Sequence, residues 1–312
     1  MNIAILTSGG DSSGMNPAIK KFVEYSYQKG YTPYFIYNGL EGLIDNKIKK
    51  ANLKDVEDII YLGGTIIKSS RSKRWYFKEY RQKAYNNLKN NNIDKLILLG
   101  GDGSFRAIKL FYDEYKFPFI AIPATIDNDI GLNEYTIGVD TALNVIRDAC
   151  DNIRDTARSF PRAFIIETMG KECGYLALTS AIANGADVCL IPESEYNLEN
   201  LKKRLNKEYI IAIVAEGLNI TKKLKNFFEK ELNKETRITI LGHIQRGGNP
   251  TVIERLRASE FIQVALDNIN ENKVVTFYDD KFYLKDIEEV LNTPYKLDSQ
   301  MLMLAKELMG LI

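Results

Sequence analysis

The sequence predicts an α/β fold, in which largely parallel sheets carry helices on both faces. Short runs rich in β-branched and aromatic residues alternate along the chain with amphipathic helical stretches, and this alternation is typical of βαβ units. With 312 residues, of which 45% are hydrophobic and 27% charged, the chain is long enough for two lobes that each bury a sizeable core. A third indication comes from glycine-rich turns that directly follow two of the apolar runs.

The predicted strands are separated by intervals that leave room for a helix in most of the gaps. The clearest helical pattern spans 138–156, and another lies near the end of the chain at 298–308. Strands are predicted in chain order near 2–7, 33–37, 94–99, 118–122, 163–167, 188–191, 210–214 and 237–241.

Composition limits the class of function and the location of the protein. The net charge is +1, so no broad attraction to nucleic acid or to acidic membranes is expected. No apolar run reaches transmembrane length and no basic-then-apolar leader precedes the first strand, so the chain is expected to be cytoplasmic. The cysteines Cys150, Cys173 and Cys189 lack a Cys-x-x-Cys spacing, which disfavours a disulfide framework or a zinc site, and the single histidine excludes a two-histidine metal site.

Two glycine-rich turns indicate phosphate binding. Thr7-Ser8-Gly9-Gly10-Asp11 follows the run 3–6, and Gly100-Gly101-Asp102-Gly103-Ser104 follows the run 96–99, so each turn joins a strand end to a helix start. Backbone N–H groups in such a turn, together with the positive end of the helix dipole, stabilise a bound anion. Glycine also makes strand–helix turns that bind nothing, which is the alternative interpretation.

A carboxylate cluster follows a third apolar run. Asp127 and Asp129 stand two residues apart in the segment 123–129, directly after the run 117–122. A helix is disfavoured just after Pro123, so one carboxylate could act as a general base while the other helps to hold a hydrated Mg²⁺. The alternative is an Asx-rich turn without a catalytic function.

A basic segment runs from Arg237 to Arg255 and contains the only histidine. Arg237, His243 and Arg246 fall within ten residues, and Gly247-Gly248 lets the backbone turn tightly beside them. This arrangement is typical of a pocket for a phosphorylated, hydroxyl-rich ligand. The alternative is a strand that runs into a loop whose basic groups are solvated.

Together these segments resemble the phosphofructokinase family, in particular its ATP-dependent 6-phosphofructokinases. The resemblance covers nearly the whole chain and includes the two Gly-Asp turns, Gly63-Gly64-Thr65, Thr125-Ile126-Asp127-Asn128-Asp129, Met169-Gly170, Glu216 and the segment Arg237 to Arg255. It implies two Rossmann-like lobes with the active site in the cleft between them. The nucleotide-binding lobe would comprise residues 1–137 and 245–295, and the sugar-phosphate-binding lobe residues 138–244 and 296–312.

The resemblance implies a glycolytic kinase that uses Mg²⁺ to transfer the γ-phosphate of ATP to the 1-hydroxyl of fructose 6-phosphate. The catalytic residues would be Asp127 as the base, Lys171 and Thr125, and the metal ligands would be Asp102 and Asp129. The nucleotide would be held by Gly10, Arg71, Gly101, Gly103 and Ser104. The sugar phosphate would be held by Thr125, Asp127, Asp129, Arg162, Met169, Gly170, Glu216, Arg237, His243 and Arg246. The arginines Arg162 and Arg237 would complete a neighbouring subunit's site, so a homotetramer is implied.

Several positions depart from the residues that are usual in the family. Lys171 stands in place of an arginine and keeps its charge without its planar fork. Ala124 and Ala107 replace glycines, and Leu40 stands where an aromatic side chain often flanks the adenine. Pyrophosphate-using relatives usually carry an aspartate at the position of Gly103 and a lysine at that of Ala124, so ATP is the expected donor. The alternatives are a pyrophosphate-dependent phosphofructokinase and a catalytically weak regulatory subunit that senses sugar phosphate.

Control by anionic effectors is expected to be weak or absent. Regulated family members place two cationic residues four positions apart on the first helix, where this chain has Lys20 and Glu24. A carboxylate repels an anion that a guanidinium would bind. Leu53 replaces another arginine, although Arg154 and Asp187 still match.

Overall fold

The computed structural model of the protein describes residues 1–309, so the last three residues of the predicted range 296–312 lie outside the described part. The strands are β1 (Asn2–Thr7), β2 (Thr32–Ile36), β3 (Ile48–Lys50), β4 (Lys95–Gly100), β5 (Phe119–Pro123), β6 (Ala163–Thr168), β7 (Val188–Leu190), β8 (Ile210–Ala215), β9 (Thr236–Ile240), β10 (Val274–Tyr278) and β11 (Lys281–Lys285). The helices are α1 (Met15–Gln28), α2 (Gly39–Ile44), α3 (Lys78–Asn90), α4 (Asp102–Tyr115), α5 (Val139–Ser159), α6 (Tyr175–Ala183), α7 (Leu198–Arg204), α8 (Thr221–Glu231), α9 (Val252–Asp267), α10 (Ile287–Asn292) and α11 (Ser299–Met309). Among the helices of these residues, none is both long and apolar enough to cross a membrane.

Two largely parallel sheets confirm the predicted fold class. The larger sheet has the strand order β11-β10-β5-β4-β1-β2-β3, and only its edge strands β3 and β11 pair antiparallel within the described residues. The smaller sheet has the order β7-β8-β6-β9 and is parallel throughout. Parallel strands are buried on both faces, which explains why their sequences read as continuous apolar runs.

Both faces of the larger sheet are covered by helices. Ile3 and Ile5 of β1 lie in one core with residues of α1 and α9, whereas Ala4 and Leu6 lie in a second core with residues of α3 and α4. Successive side chains of a strand point to opposite faces, so β1 contributes to both cores. The strand ends, and the turns that follow them, are therefore held from two sides.

The eight predicted strands are present with ends within one residue of the expected positions, whereas β3, β10 and β11 were not predicted. Strand β3 has only three residues, and two of them are exposed lysines. Asp279 and Asp280 connect β10 to β11 with φ angles of 51° and 53°. This is the backbone of a two-residue hairpin that Asn-Gly usually marks, so an Asp-Asp pair gives a weaker sequence signal.

The chain forms two compact units. Unit 1 comprises Met1–Ile126, Ile130–Thr141 and Arg246–Tyr295, and it contains the larger sheet. Unit 2 comprises Asp127–Asp129, Ala142–Gln245 and the chain from Lys296 onward, and it contains the smaller sheet. The segment Asp127–Asp129 groups with unit 2, although the chain on both sides of it belongs to unit 1.

Candidate active site

The two glycine-rich turns lie side by side in unit 1, at the carboxyl ends of the neighbouring strands β1 and β4. Ser104 Oγ donates a hydrogen bond to Ser8 Oγ at 2.9 Å, and Ser8 N–H donates to the carbonyl of Leu99 at 2.9 Å. A Cβ on Gly100 would lie 2.9 Å from the carbonyl oxygen of Ser8, so only glycine allows the two turns to approach this closely.

The start of α4 is open to a ligand. Gly101 is the N-cap residue of this 14-residue helix, which begins at Asp102. A Cβ built on Gly103 would meet no atom within 4 Å, whereas one on Gly101 would lie 3.4 Å from Thr125 Cβ. Backbone N–H groups at a helix start attract anions, so this open turn suits a phosphate group.

Arg246 lies against the turn that follows β1. Its Nη1 donates to the carbonyl of Asp11 at 3.3 Å and would lie 2.3 Å from a Cβ on Gly10. The residue is only 9% exposed. The structure therefore places a predicted ligand of the sugar phosphate directly beside a predicted ligand of the nucleotide.

The cations between 71 and 74 differ in their partners. The guanidinium of Arg74 donates to Asp45 Oδ1 at 3.0 Å and to Glu41 Oε2 at 2.7 Å. The hydrogen bonds to Asp45 and then to Glu41 raise the pKa of Arg74. Arg71 is exposed. Because Arg74 is engaged by two carboxylates, Arg71 is the better placed of these two arginines to meet a phosphate.

Asp102 carries a partner that the sequence analysis missed. Arg106, one turn further along α4, donates to both carboxylate oxygens at 2.8 Å and 3.1 Å. The two side chains are 61% and 41% exposed, and an exposed pair at this spacing contributes only about 0.3–0.5 kcal/mol. A divalent cation can therefore replace Arg106 at little energetic cost.

Unit 2 brings Asp127, Asp129 and Lys171 together. Lys171 Nζ lies 2.5 Å from Asp127 Oδ2 and 3.6 Å from Asp129 Oδ2. The side chain of Asp127 is 1% exposed and that of Lys171 is 58% exposed. The lysine thus reaches a buried carboxylate from the solvent side and offsets the cost of burying its charge.

The turn that carries Lys171 is held by two side chains. Lys171 has a left-handed backbone with φ 53°, and Gly170 before it has φ 132°. The N–H of Lys171 donates to Glu216 Oε1 at 3.0 Å, and the N–H of Met169 donates to Gln245 Oε1 at 3.1 Å. A left-handed lysine is unusual, and these hydrogen bonds stabilise it.

A single carboxylate connects the two arginines that are predicted to serve a neighbouring subunit. Arg162 Nε donates to Glu235 Oε2 at 2.7 Å, and Arg237 Nη2 donates to Oε1 of the same residue. Arg162 directly precedes β6 and Arg237 lies on β9, so the parallel pairing of these strands brings the two arginines near each other. The sequence signal for Glu235 is its place two residues before Arg237, but its link to Arg162 depends on strand pairing.

Metal ligands are sparse. Within residues 1–309, no group of three or more histidine, cysteine, aspartate or glutamate side chains is placed to hold a metal ion. The predicted ligands Asp102 and Asp129 belong to units 1 and 2, respectively. Both offer the hard oxygen donors that Mg²⁺ prefers, and Mg²⁺ commonly takes its other ligands from phosphates and water. The last predicted ligand of the sugar phosphate, His243, is exposed in the turn Gly242–Arg246.

Comparison with known sequences gives a consistent result. A family model described as phosphofructokinase matches residues 2–269. A protein from Sulfurimonas denitrificans, named ATP-dependent 6-phosphofructokinase, is 53% identical over 317 residues, which cover 98% of this chain and 99% of that protein. A protein of the same name from Bacillus subtilis is 42% identical over 315 residues, which cover 98% of both.

Solved structures agree in fold. Pichia pastoris phosphofructokinase in the T-state superposes with a TM-score of 0.87 at 32% identity, covering 99% of this chain and 36% of that one, so this chain spans about a third of its length. A pyrophosphate-dependent phosphofructokinase from Marinobacter aquaeolei superposes with a TM-score of 0.82 at 18% identity, covering 96% and 86% of the two chains. At this identity the likeness shows the fold alone.

Proposed function

The chain belongs to the phosphofructokinase family, and we propose that it transfers the γ-phosphate of ATP to the 1-hydroxyl of fructose 6-phosphate, giving fructose 1,6-bisphosphate and ADP. The observation that carries this proposal is the group formed by Lys171, Asp127 and Asp129. Phosphoryl transfer needs a base for the incoming hydroxyl and positive charge for the moving phosphoryl group, and this group supplies both.

Unit 2 supplies the chemistry. Asp127 accepts the proton of the 1-hydroxyl as that oxygen attacks the γ-phosphate. Thr125, the remaining proposed catalytic residue, lies two residues earlier and belongs to unit 1. Lys171 exchanges its contact with the Asp127 carboxylate for the transferring phosphoryl group, which its 58% exposed side chain can meet from the solvent side. Glu216 binds sugar hydroxyls while one of its oxygens holds the N–H of Lys171.

The sugar phosphate is bound by cations at its 6-phosphate. Arg246 and His243 take this role within one subunit, and Met169 and Gly170 contact the sugar. Arg162 and Arg237 serve a neighbouring subunit of a homotetramer. Support for the last assignment is that Arg237 is largely exposed, that Arg162 is partly exposed, and that both are gathered on one carboxylate, which a stronger anion can replace.

Unit 1 binds the nucleotide. The open turn at Gly101, Gly103 and Ser104, together with Gly10 and Arg71, holds the phosphates of ATP. The space beside Gly103 supports ATP over pyrophosphate, because an aspartate there would repel the α-phosphate. Asp102 and Asp129 would hold Mg²⁺, which would neutralise phosphate charge. Because the proposed substrates are small phosphorylated metabolites of glycolysis, we infer that the enzyme acts in the cytoplasm.

A donor assay tests the function. Purified protein is mixed with fructose 6-phosphate and Mg²⁺, and product formation is followed by a coupled assay with ATP or with pyrophosphate, each at saturation. We expect turnover with ATP and little or none with pyrophosphate. Faster turnover with pyrophosphate would reassign the donor, and absence of turnover with both would favour a regulatory subunit.

A further inference from the structure

Glu254 belongs to the basic segment of the sequence, and the proposed reaction gives it no role. The residue is fully buried, and its carboxylate accepts four hydrogen bonds. Oε1 accepts from Gly138 N–H at 2.7 Å and from the Tyr135 hydroxyl at 3.1 Å. Oε2 accepts from Thr141 N–H at 3.1 Å and from Thr141 Oγ1 at 3.2 Å. All four donors lie at or just before the start of α5, so Glu254 on α9 caps the N-terminus of α5.

The capped segment packs directly on the turn that follows β1. Ser12 Oγ donates to the carbonyl of Ile137 at 2.8 Å, and a Cβ on Gly138 would lie 2.2 Å from Ser12 Cβ. A Cβ on Gly14 would lie 2.4 Å from Ile137 Cγ2 and 2.8 Å from Glu254 Oε1. Because there is no room for an added methyl group, a shift of the start of α5 must move the turn as well.

Arg246 is fixed to the same turn. Ser13 Oγ donates to the carbonyls of Arg246 and Gly247 at 3.3 Å and 3.1 Å, and Arg246 Nη1 donates to the carbonyl of Asp11. Both the main chain and the guanidinium of Arg246 thus depend on the turn that Glu254 supports. All of these residues belong to unit 1.

We propose that Glu254 is a positioning residue, which holds the turn 9–14 and Arg246 in the arrangement that binds phosphate. Both of its oxygens must be acceptors, because one faces the N–H of Gly138 and the other faces the N–H of Thr141. The inference rests on the proposed function for the identity of the ligand. The ordering of the turn does not depend on that identity.

The charge of Glu254 makes this arrangement sensitive to pH. Burial raises the pKa of Glu254 to about 7, and the hydrogen bonds from Gly138, Thr141 and Tyr135 oppose that rise. Asp140 raises the pKa slightly further, and Arg257 on α9 acts on Tyr135. A proton on either oxygen removes a lone pair that accepts one of these four hydrogen bonds. The ionised form therefore holds the segment, and this form declines as the pH falls below about 7.

The variant Glu254→Gln tests the role at constant size. Its NH₂ group must face the N–H of either Gly138 or Thr141, which breaks one buried hydrogen bond. At about pH 8 we expect the KM for fructose 6-phosphate to rise about tenfold, with kcat changed by less than about threefold. The matched control is Glu260→Gln, an exposed glutamate of the same helix, which should behave as wild type. An unchanged KM in Glu254→Gln would overturn the proposal.

A pH series separates positioning from simple packing. As the pH falls from about 8 to about 6, the wild-type KM should rise towards that of Glu254→Gln, so the ratio of the two should shrink. Titration of the substrate phosphate affects both proteins alike and cancels in that ratio. Tyr135→Phe removes a hydrogen bond that lowers the pKa of Glu254, so its KM should begin to rise at a higher pH. A ratio that is constant with pH, or a Tyr135→Phe profile identical to wild type, would contradict the role.

Stability gives a second check on the same group. Because the fold raises the pKa of Glu254 above its ordinary value of 4.5, it binds this proton more tightly than the unfolded chain does. The stability gained from that proton is present at low pH and is lost as the pH rises through about 7. The Tm of wild type should therefore fall relative to that of Glu254→Gln between about pH 5 and about pH 8. A Tm difference that does not change with pH would count against titration of Glu254.

Hydrogen exchange tests the positioning without any substrate. Amides of residues 9–14, 137–141 and 246–251 should exchange faster in Glu254→Gln than in wild type, and Glu260→Gln should show no change. Unchanged exchange in Glu254→Gln would refute the positioning role even if the enzyme is active. A wild-type protein without phosphofructokinase activity would refute the proposed function and leave the exchange result standing. Should Glu254→Gln fail to fold, the pH profile of Tyr135→Phe decides.

Discussion

The proposed ligands of units 1 and 2 are built in opposite ways. In unit 1 the main chain shapes the site, because a Cβ on Gly100 would lie only 2.9 Å from the carbonyl oxygen of Ser8 in the neighbouring turn. In unit 2 charged side chains shape it, because Lys171 pairs with Asp127 and Glu235 pairs with two arginines. The turns proposed to bind the nucleotide are therefore already formed without a ligand. The charged groups of unit 2 neutralise one another, so they must exchange these partners for the substrates.

The cost of this exchange depends on the exposure of both partners. Arg237 is 56% exposed and Glu235 is 47% exposed, so water screens their ion pair, which contributes at most about 1 kcal/mol. Lys171 is 58% exposed, but its partner Asp127 is buried, so removal of the lysine charge leaves a buried carboxylate without that compensation. Substitution of Arg237 should therefore cost little stability, whereas Lys171→Ala should cost more. Substitutions in the tight turns of unit 1 should change shape first.

The largest effect is expected from Asp127→Asn, which removes the proposed base and preserves its volume. The kcat should fall by roughly a hundredfold or more, as is typical for loss of a general base. Binding of fructose 6-phosphate and of ATP, measured by calorimetry, should stay nearly normal because the exposed Lys171 remains hydrated. A kcat close to wild type would show that another group takes the proton.

Lys171 is expected to give the next largest effect. Lys171→Ala should lower kcat by about 10–1000-fold, the range found when one charge-stabilising donor is lost, while Lys171→Arg should retain or improve activity. Lys171→Gly is the matched control for the backbone, because glycine adopts φ 53° without strain and removes the same charge. Steady-state kinetics of the three variants separate charge from strain. If alanine costs nothing, Lys171 is a surface cation.

Gly103 tests the open turn of unit 1. Gly103→Asp should lower kcat/KM for ATP by about a hundredfold, since it places a carboxylate against a phosphate. Gly103→Asn has the same size without the charge and should lose much less. Neither variant should lower the Tm, because a Cβ at this position meets no atom within 4 Å. Equal losses in both variants would mean that size, and not charge, excludes the nucleotide.

The elements of the fold that depend on local sequence could be predicted. Parallel strands are buried on both faces and therefore appear as apolar runs in the sequence. The glycines around Gly10 and Gly103 indicate the turns that follow two of these strands. The hairpin between β10 and β11 was missed because Asp279 and Asp280 adopt a backbone that their residue types seldom signal. The local sequence pattern thus predicts the structure where burial or glycine controls the backbone conformation.

The pairing of Asp102 with Arg106 could have been predicted, because the two residues lie one helical turn apart. Pairings between residues far apart in the chain could not be predicted. The link from Arg162 to Glu235 depends on the pairing of β6 with β9, and the cap that Glu254 places on Gly138 joins residues far apart in the chain. Neither link has a local signature, since it forms only when whole elements pack together.

The smallest effect is expected from anionic effectors. As in unit 2, a cation that could bind an anion, here Lys20 of unit 1, is already paired with a carboxylate. Lys20 Nζ lies 2.8 Å from Glu24 Oε1, and the nearby Leu53 is an exposed apolar side chain that offers no charge. Adding a nucleoside diphosphate or phosphoenolpyruvate should therefore change the rate at subsaturating fructose 6-phosphate by less than about twofold. Glu24→Arg removes the repelling carboxylate and with it the ion pair of Lys20, so this variant should respond more strongly than wild type. Substitution of Glu229, an exposed glutamate of α8, by arginine should not have this effect. A severalfold response of the wild-type enzyme to either compound would show that other cations form an effector site.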